Sequence, residues 1–239
     1  MELNNAVALV TGANRGIGAA FVEELRARGA RKIFAASRHA GVAYPEGVEP
    51  IQLDITDPSQ IRRVADLAGD VDILINNAGF SSSTSLISGD LAEIRQNMET
   101  NFFGPLLMTQ AFAPILKSNG GGALLNVISA LAWFTVPGGG AYAASKTAAW
   151  SLTDNARLEL AGQGTHVVGV YMGLVDTDMS AGMQGPKLTP RELASAGLDA
   201  IESGLDEVLA DGWTSHVKSG LALPPSVRYE QLFSALPRA

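Results

Sequence analysis

Thr11-Gly12-Ala13-Asn14-Arg15-Gly16-Ile17-Gly18 follows an apolar run from Val7 to Val10 and leads into a stretch of helical spacing from Ile17 to Arg28. A strand that turns on glycines into a helix brings free backbone N–H groups to the helix start, where they can meet a pyrophosphate. The spacing is Gly-x-x-x-Gly-x-Gly rather than Gly-x-Gly-x-x-Gly. Alone it would be a weak turn signal; between a strand and a helix at the start of a βαβ chain it points to dinucleotide binding.

Working outward, β-rich runs recur at Ile33 to Ser37, Pro50 to Leu53, Ile73 to Ile75, Ala123 to Ile128 and Val167 to Tyr171. Helical spacing occupies Pro58 to Ala68, a long pair around Leu91 to Lys117, and Ala141 to Ala161. This alternation predicts an α/β fold with a mostly parallel sheet covered on both faces. One helix start is explicit: Asp57 caps, Pro58 takes the first helical position, and Gln60 stands where a capping box closes. The stretch from Ser118 to Ser145 carries no charge, but Asn126, Ser129, Pro137 and Gly138-Gly139-Gly140 interrupt it too often for a membrane span. Residues 173–190 read as a long mobile loop on the substrate side.

With 239 residues, 46% hydrophobic and 17% charged, residues 1–239 are expected to form a single domain. Net charge is −7, the wrong sign for holding nucleic acid. The absence of cysteine excludes disulfides, thiolate metal sites and a thiol nucleophile. His39, His166 and His216 have no metal-ligand spacing, so no catalytic metal is expected. The first residues lack the basic start and long apolar stretch of a signal peptide, which favours the cytoplasm.

Tyr142 and Lys146 stand four residues apart on one helical face. A phenol titrates near 10, and an ammonium about 4 to 5 Å away is worth about 3 to 4 kcal/mol at an effective dielectric near 20, enough to lower that pKa by roughly two to three before desolvation offsets some of it. Tyr142 is therefore a candidate acid and base.

Taken in order, TGANRGIG, Asn76-Asn77-Ala78-Gly79, Ser129 and Tyr142-Ala-Ala-Ser-Lys146 resemble the short-chain dehydrogenase/reductase family over roughly residues 4–180. The resemblance implies a doubly wound Rossmann-type sheet and NAD(P)-dependent hydride transfer between alcohols and carbonyls. It makes Tyr142 the general acid and base and gives Ser129 a hydrogen bond to the substrate oxygen. Lys146 would bind the nicotinamide ribose and depress the Tyr142 pKa, and Asn101 would hold the water of a proton relay. Beside Gly12, Asn14, Arg15, Gly16, Ile17 and Gly18, it implies cofactor contacts at Asp54 and Ile55, at Asn77, Ala78 and Gly79, at Tyr142 as well as Lys146, and at Gly173, Val175 and Thr177. Met172-Gly173 replaces the family's usual Pro-Gly, leaving the start of the loop less rigid.

The family also pairs two helices across a homodimer, here those bearing Phe103 and Trp150. Its final strand, with an Asp-Gly-Gly ending, is not recognisable in residues 210–239. At the end of the second strand, Ser37 stands where an NAD enzyme tends to place a carboxylate. Arg38 and Arg15 could grip a 2′-phosphate, so the expected cofactor is NADPH. Leu131, Trp133, Met179 and Met183 flank Ser129 and the loop, suggesting a small-molecule carbonyl or alcohol substrate of apolar character. The competing expectations are a catalytically silent dinucleotide-binding regulator and a non-redox relative. The first would be expected to lose members of the Ser129, Tyr142 and Lys146 set, and the second the glycine turn as well as Lys146; all are present.

Overall fold

In the computed structural model, which describes residues 1–39 and 44–235, the chain builds a single-domain Rossmann-type α/β fold. Strand β1, Val7–Thr11, shows how the layers arise. Its pleat sends Val7 and Leu9 to one face of the sheet and Ala8 and Val10 to the other, and all four are buried. The same alternation runs through β4, Ile73–Asn76, where Ile73 and Ile75 oppose Leu74. A strand apolar on both sides needs helices on both sides.

The other strands are β2, Lys32–Ser37; β3, Val48–Gln52; β5, Ala123–Val127; β6, His166–Tyr171; and β7, Glu207–Leu209. Seven strands lie in the order β3-β2-β1-β4-β5-β6-β7, with every neighbouring pair parallel. Helix α1, Gly16–Ala27, covers one face with Phe21, Val22 and Leu25; α2, Pro58–Leu67, covers the other with Ile61 and Val64. Helix α3, Leu91–Met98, passes through a π-helical turn, Glu99–Phe103, into α4, Gly104–Ser118, whose Met108, Phe112 and Leu116 join the α2 side. Helix α5, Gly140–Leu160, lies on that side too, with Ala156 in the same cluster, whereas α6, Pro190–Ser203, joins α1. The chain continues through α7, Gly212–Ser219, to α8, Pro225–Ala235.

Two expectations are corrected here, the start of β3 and the capping box of α2. Strand β3 begins two residues before Pro50; it is an edge strand, where a missing N–H is tolerated. Residues 210–235 hold no strand, as read from the sequence; the last strand, β7, precedes them and pairs with β6, and residues 236–239 lie outside the described part. Asp57 does cap α2, through Ser59 N–H at 2.8 Å and Gln60 N–H at 3.3 Å, and the side-chain donors Ser59 Oγ at 2.6 Å and Gln60 Nε2 at 2.9 Å do most to hold its carboxyl at a pKa of about 2. Gln60, however, does not close a capping box: its Oε1 accepts from Asp54 N–H at 2.9 Å. Residues 173–190 contain organised structure, a parallel bridge between Val175 and Leu188 and a 3-10 turn at Asp178–Ser180. No helix among the described residues is long and apolar enough to cross a membrane.

Candidate active site

Along the carboxyl ends of the strands runs a cleft of about 1530 Å³. Its glycine-rich wall is held by Thr11, a residue whose role the sequence pattern did not reveal. The Thr11 hydroxyl accepts Asn77 N–H at 2.9 Å and Ala78 N–H at 3.0 Å, and Asn77 Nδ2 donates back to Thr11 O at 2.9 Å. The end of β4 is thereby fastened to the turn after β1. Gly16 has φ +54°, and a Cβ there would stand 3.2 Å from the Thr177 methyl. At Gly18 a Cβ would fall 2.1 Å from Gly12 O. Gly18 therefore allows the helix to close on the turn and, unlike Gly12, Asn14, Arg15, Gly16 and Ile17, is not part of the cleft wall. The bare backbone at Gly12 and Gly16 fits a pyrophosphate at the start of α1.

Ser37, Arg38, Asp54, Ile55, Asn77, Ala78, Gly79, Gly173, Val175 and Thr177 line the same cleft. Asp54 is partly engaged, since its Oδ1 accepts from Thr56 N–H at 2.9 Å and Thr56 O–H at 2.8 Å. Ser37 donates to His39 O at 2.9 Å. Arg15 is turned to Asp178 at 2.6 Å, so its guanidinium is already engaged rather than poised beside Arg38.

Ser129, Tyr142 and Lys146 form the floor. Ser129 Oγ accepts Leu131 N–H at 3.1 Å, which leaves its own hydrogen to donate. Lys146 is buried, its Nζ donating to Val127 O at 3.0 Å and lying 5.6 Å from the Tyr142 ring centroid. Burial lowers the Lys146 pKa to about 8 and pushes the Tyr142 phenol up to about 12, with the Ser129 hydroxyl pulling the phenol down by less. In the protein alone, therefore, desolvation outweighs the expected depression of the phenol by the ammonium.

Asn101 lies behind the floor rather than in the wall. It sits in the π-helical turn, a distortion that often marks functional sites. Its Oδ1 accepts Phe80 N–H at 2.9 Å, and its Nδ2 donates to Phe80 O at 2.7 Å and Ser145 Oγ at 2.9 Å. Ser145 in turn donates to Tyr142 O at 2.7 Å. Ser145 thus ties Asn101 to the helix bearing Tyr142 and Lys146, a role its place inside Tyr142-Ala-Ala-Ser-Lys146 did not disclose. At Gly79 a Cβ would stand 3.3 Å from Asn101 Oδ1 and 3.9 Å from Lys146 Nζ, so this glycine separates the two.

Leu131, Met179 and Met183 line the cleft, and both methionines are half exposed. Trp133 does not: it is buried, stacked on Tyr171 at 4.4 Å and edge-on to Trp150 at 6.0 Å. The apolar residue that sequence proximity placed in the pocket is core. Trp150 is correspondingly drawn inward, while Phe103 remains exposed. Where the family's Pro would have stiffened the start of the loop, Gly173 N–H donates to Asp211 at 2.8 Å, and the same carboxylate caps α7 through Thr214 N–H at 2.6 Å. No cluster of three metal-ligating side chains occurs among the described residues.

Comparison with known proteins bears on this arrangement. The family described as short chain dehydrogenase matches residues 6–186. A 3-oxoacyl-[acyl-carrier-protein] reductase of Vibrio cholerae is 31% identical, over 92% of this chain and 99% of its own. A 3alpha-hydroxysteroid dehydrogenase of Mediterraneibacter gnavus is 35% identical, over 80% and 82%. The crystal structure of a short chain dehydrogenase from Burkholderia cenocepacia in complex with NADP is 41% identical, covers 97% of this chain and 99% of that one, and superposes with a TM-score of 0.91.

Proposed function

The chain belongs to the short chain dehydrogenase family, and from that premise we propose that it reduces ketones or aldehydes to alcohols with NADPH, reversibly. The observation that carries this reading is the meeting of Ser129, Tyr142 and Lys146 in one cleft with the glycine turn. Gly12 and Gly16 would receive the pyrophosphate, Asn77, Ala78 and Gly79 would border the adenosine ribose, and Lys146 would hold the nicotinamide ribose hydroxyls. NADPH, when bound, supplies the hydride. Ser129 donates its hydroxyl hydrogen to the substrate carbonyl oxygen, and Tyr142 O–H delivers the proton to that oxygen as the alcohol forms. Lys146 is a cation beside the resulting phenolate. The Asn101 side chain is committed to Phe80 and Ser145, which fastens the π-helical turn to the helix that carries Tyr142 and Lys146.

The NADP complex of the Burkholderia protein supports the choice of cofactor, and the oxoacyl reductase and hydroxysteroid dehydrogenase support a carbonyl and alcohol pair. Leu131, Met179 and Met183 supply adaptable apolar walls and favour an apolar substrate. A carbonyl panel assayed separately with NADPH and NADH is expected to show aryl or long-alkyl ketones turned over with NADPH. Faster turnover of small charged keto acids would overturn the substrate class, and an inert panel would overturn the reductase reading.

The same reading makes the enzyme a homodimer through α4 and α5. Phe103 leaves 41% of its surface exposed at the head of α4, and Leu158 leaves 79% near the end of α5. Light scattering at micromolar concentration is expected to give twice the 24.9 kDa chain mass. A monomer would refute the pairing.

A further inference from the structure

Asp178 occupies an unusual place for a carboxylate. It opens the 3-10 turn Asp178–Ser180 in the loop that carries Met179 and Met183, and it lines the cleft that the proposed function assigns to a polyanionic cofactor. Its Oδ2 accepts from Arg15 Nη1 at 2.6 Å, across 163 residues of sequence. Arg15 is the residue at the N-terminal boundary of α1, so this ion pair bridges the glycine turn and the substrate loop.

The two segments also lie close together beneath the ion pair, and the loop that presents Asp178 is internally held. The Thr177 methyl stands 3.2 Å from where a Gly16 Cβ would lie. Ser180 Oγ donates to Val175 O at 2.6 Å, and Lys187 Nζ donates to Ser180 O at 2.8 Å, which fixes the turn that presents Asp178. Both members of the pair are exposed, 70% for the Arg15 side chain and 76% for Asp178, so the pair is readily exchanged for another partner.

We infer that Asp178 is a specificity-determining residue that competes with the cofactor 2′-phosphate for Arg15. This rests on the NADPH reading and deepens it. A dianionic phosphate is the stronger acceptor for a guanidinium fork. NADPH must take Arg15 from Asp178, and the exchange unfastens the substrate loop from the glycine turn. NADH, with a 2′-hydroxyl, leaves the clasp closed. Asp178 thus opposes NADPH affinity and links loop release to occupation of the phosphate site.

The test is a double-substitution cycle read by the Kd of NADPH and of NADH for the parent, Asp178→Asn, Arg15→Ala and the pair. Exposed ion pairs of this kind shift equilibria by up to about fivefold. Asp178→Asn is expected to tighten NADPH about two- to fivefold, to leave NADH within about 1.5-fold, and to have no effect on NADPH once Arg15 is Ala. Unchanged NADPH affinity in Asp178→Asn overturns the inference. So does a gain that persists without Arg15 or appears equally with NADH, since that marks a general charge effect. Arg15→Ala alone separates the two levels: if it weakens NADPH selectively while Asp178→Asn does nothing, only the competition fails. If it leaves NADPH untouched, the assignment of Arg15 to the phosphate falls and the competition with it.

Discussion

Replacing Tyr142 by Phe is expected to lower turnover by about 10²- to 10⁴-fold, the usual worth of a general acid or base, while the Kd for NADPH stays that of the parent. The substitution removes one oxygen. The ring keeps its position on α5 and the Lys146 ammonium keeps its place beside it, 5.6 Å from the ring centroid and bonded to Val127 O at 3.0 Å. The cofactor contacts assigned to Gly12, Gly16 and Lys146 do not involve the hydroxyl, whose hydrogen-bond partner is Ser129. Loss of kcat with cofactor affinity retained is the signature of a group that acts in the transition state. Stopped-flow or steady-state reduction of an apolar ketone, with cofactor binding measured in parallel, checks both halves. Activity within about threefold of the parent would remove Tyr142 from the mechanism.

How the phenol is tuned marks where sequence reasoning stops. Four-residue spacing places Tyr142 and Lys146 on one helical face, and that juxtaposition is present. The spacing says nothing of depth, and depth reverses the direction of the effect. Once both groups are buried, desolvation raises the phenol to about 12 and lowers the ammonium to about 8. Lys146 also spends a hydrogen bond on Val127 O, on β5, a contact that helical spacing does not encode.

Other gaps have similar physical origins. The order of strands and helices up to β6 was legible because each element carries enough residues to display its period. Strand β7 has only three residues, Glu207–Leu209, too few for a pattern, and depends on pairing with β6 for its existence. The π-helical turn at Glu99–Phe103 was hidden at the junction of the helix pair read over Leu91 to Lys117, because apolar spacing marks the two helices and not how they join. Trp133 was misplaced because nearness to Ser129 along the chain gives no direction; the short turn after Ser129 carries the indole toward Tyr171 instead. Conversely, Thr11 and Asp211 act through backbone groups of distant segments, and Ser145 accepts from the Asn101 side chain of another helical segment. Polar residues of this kind carry no periodic signal.

Cofactor choice should depend most strongly on Arg38. Arg38→Ala is expected to weaken NADPH by about 10- to 150-fold, which corresponds to losing about 1.5 to 3 kcal/mol of charge-assisted hydrogen bonding, and to leave NADH almost unaffected. Arg38 lines the cleft at the end of β2, where the neighbouring Ser37 carries no charge to repel a phosphate and turns its hydroxyl to His39 O at 2.9 Å. Arg15 cannot substitute fully, because Asp178 already holds its guanidinium at 2.6 Å. The first grip on a 2′-phosphate therefore falls to Arg38, and its loss removes more than half of a two-arginine site. Titration of parent and variant with each dinucleotide separates this from a general weakening of the cleft: a fall confined to NADPH supports a phosphate contact. Equal kcat/KM for NADPH and NADH in the parent, or equal losses of both in Arg38→Ala, would show that the arginine serves the cleft without reading the phosphate.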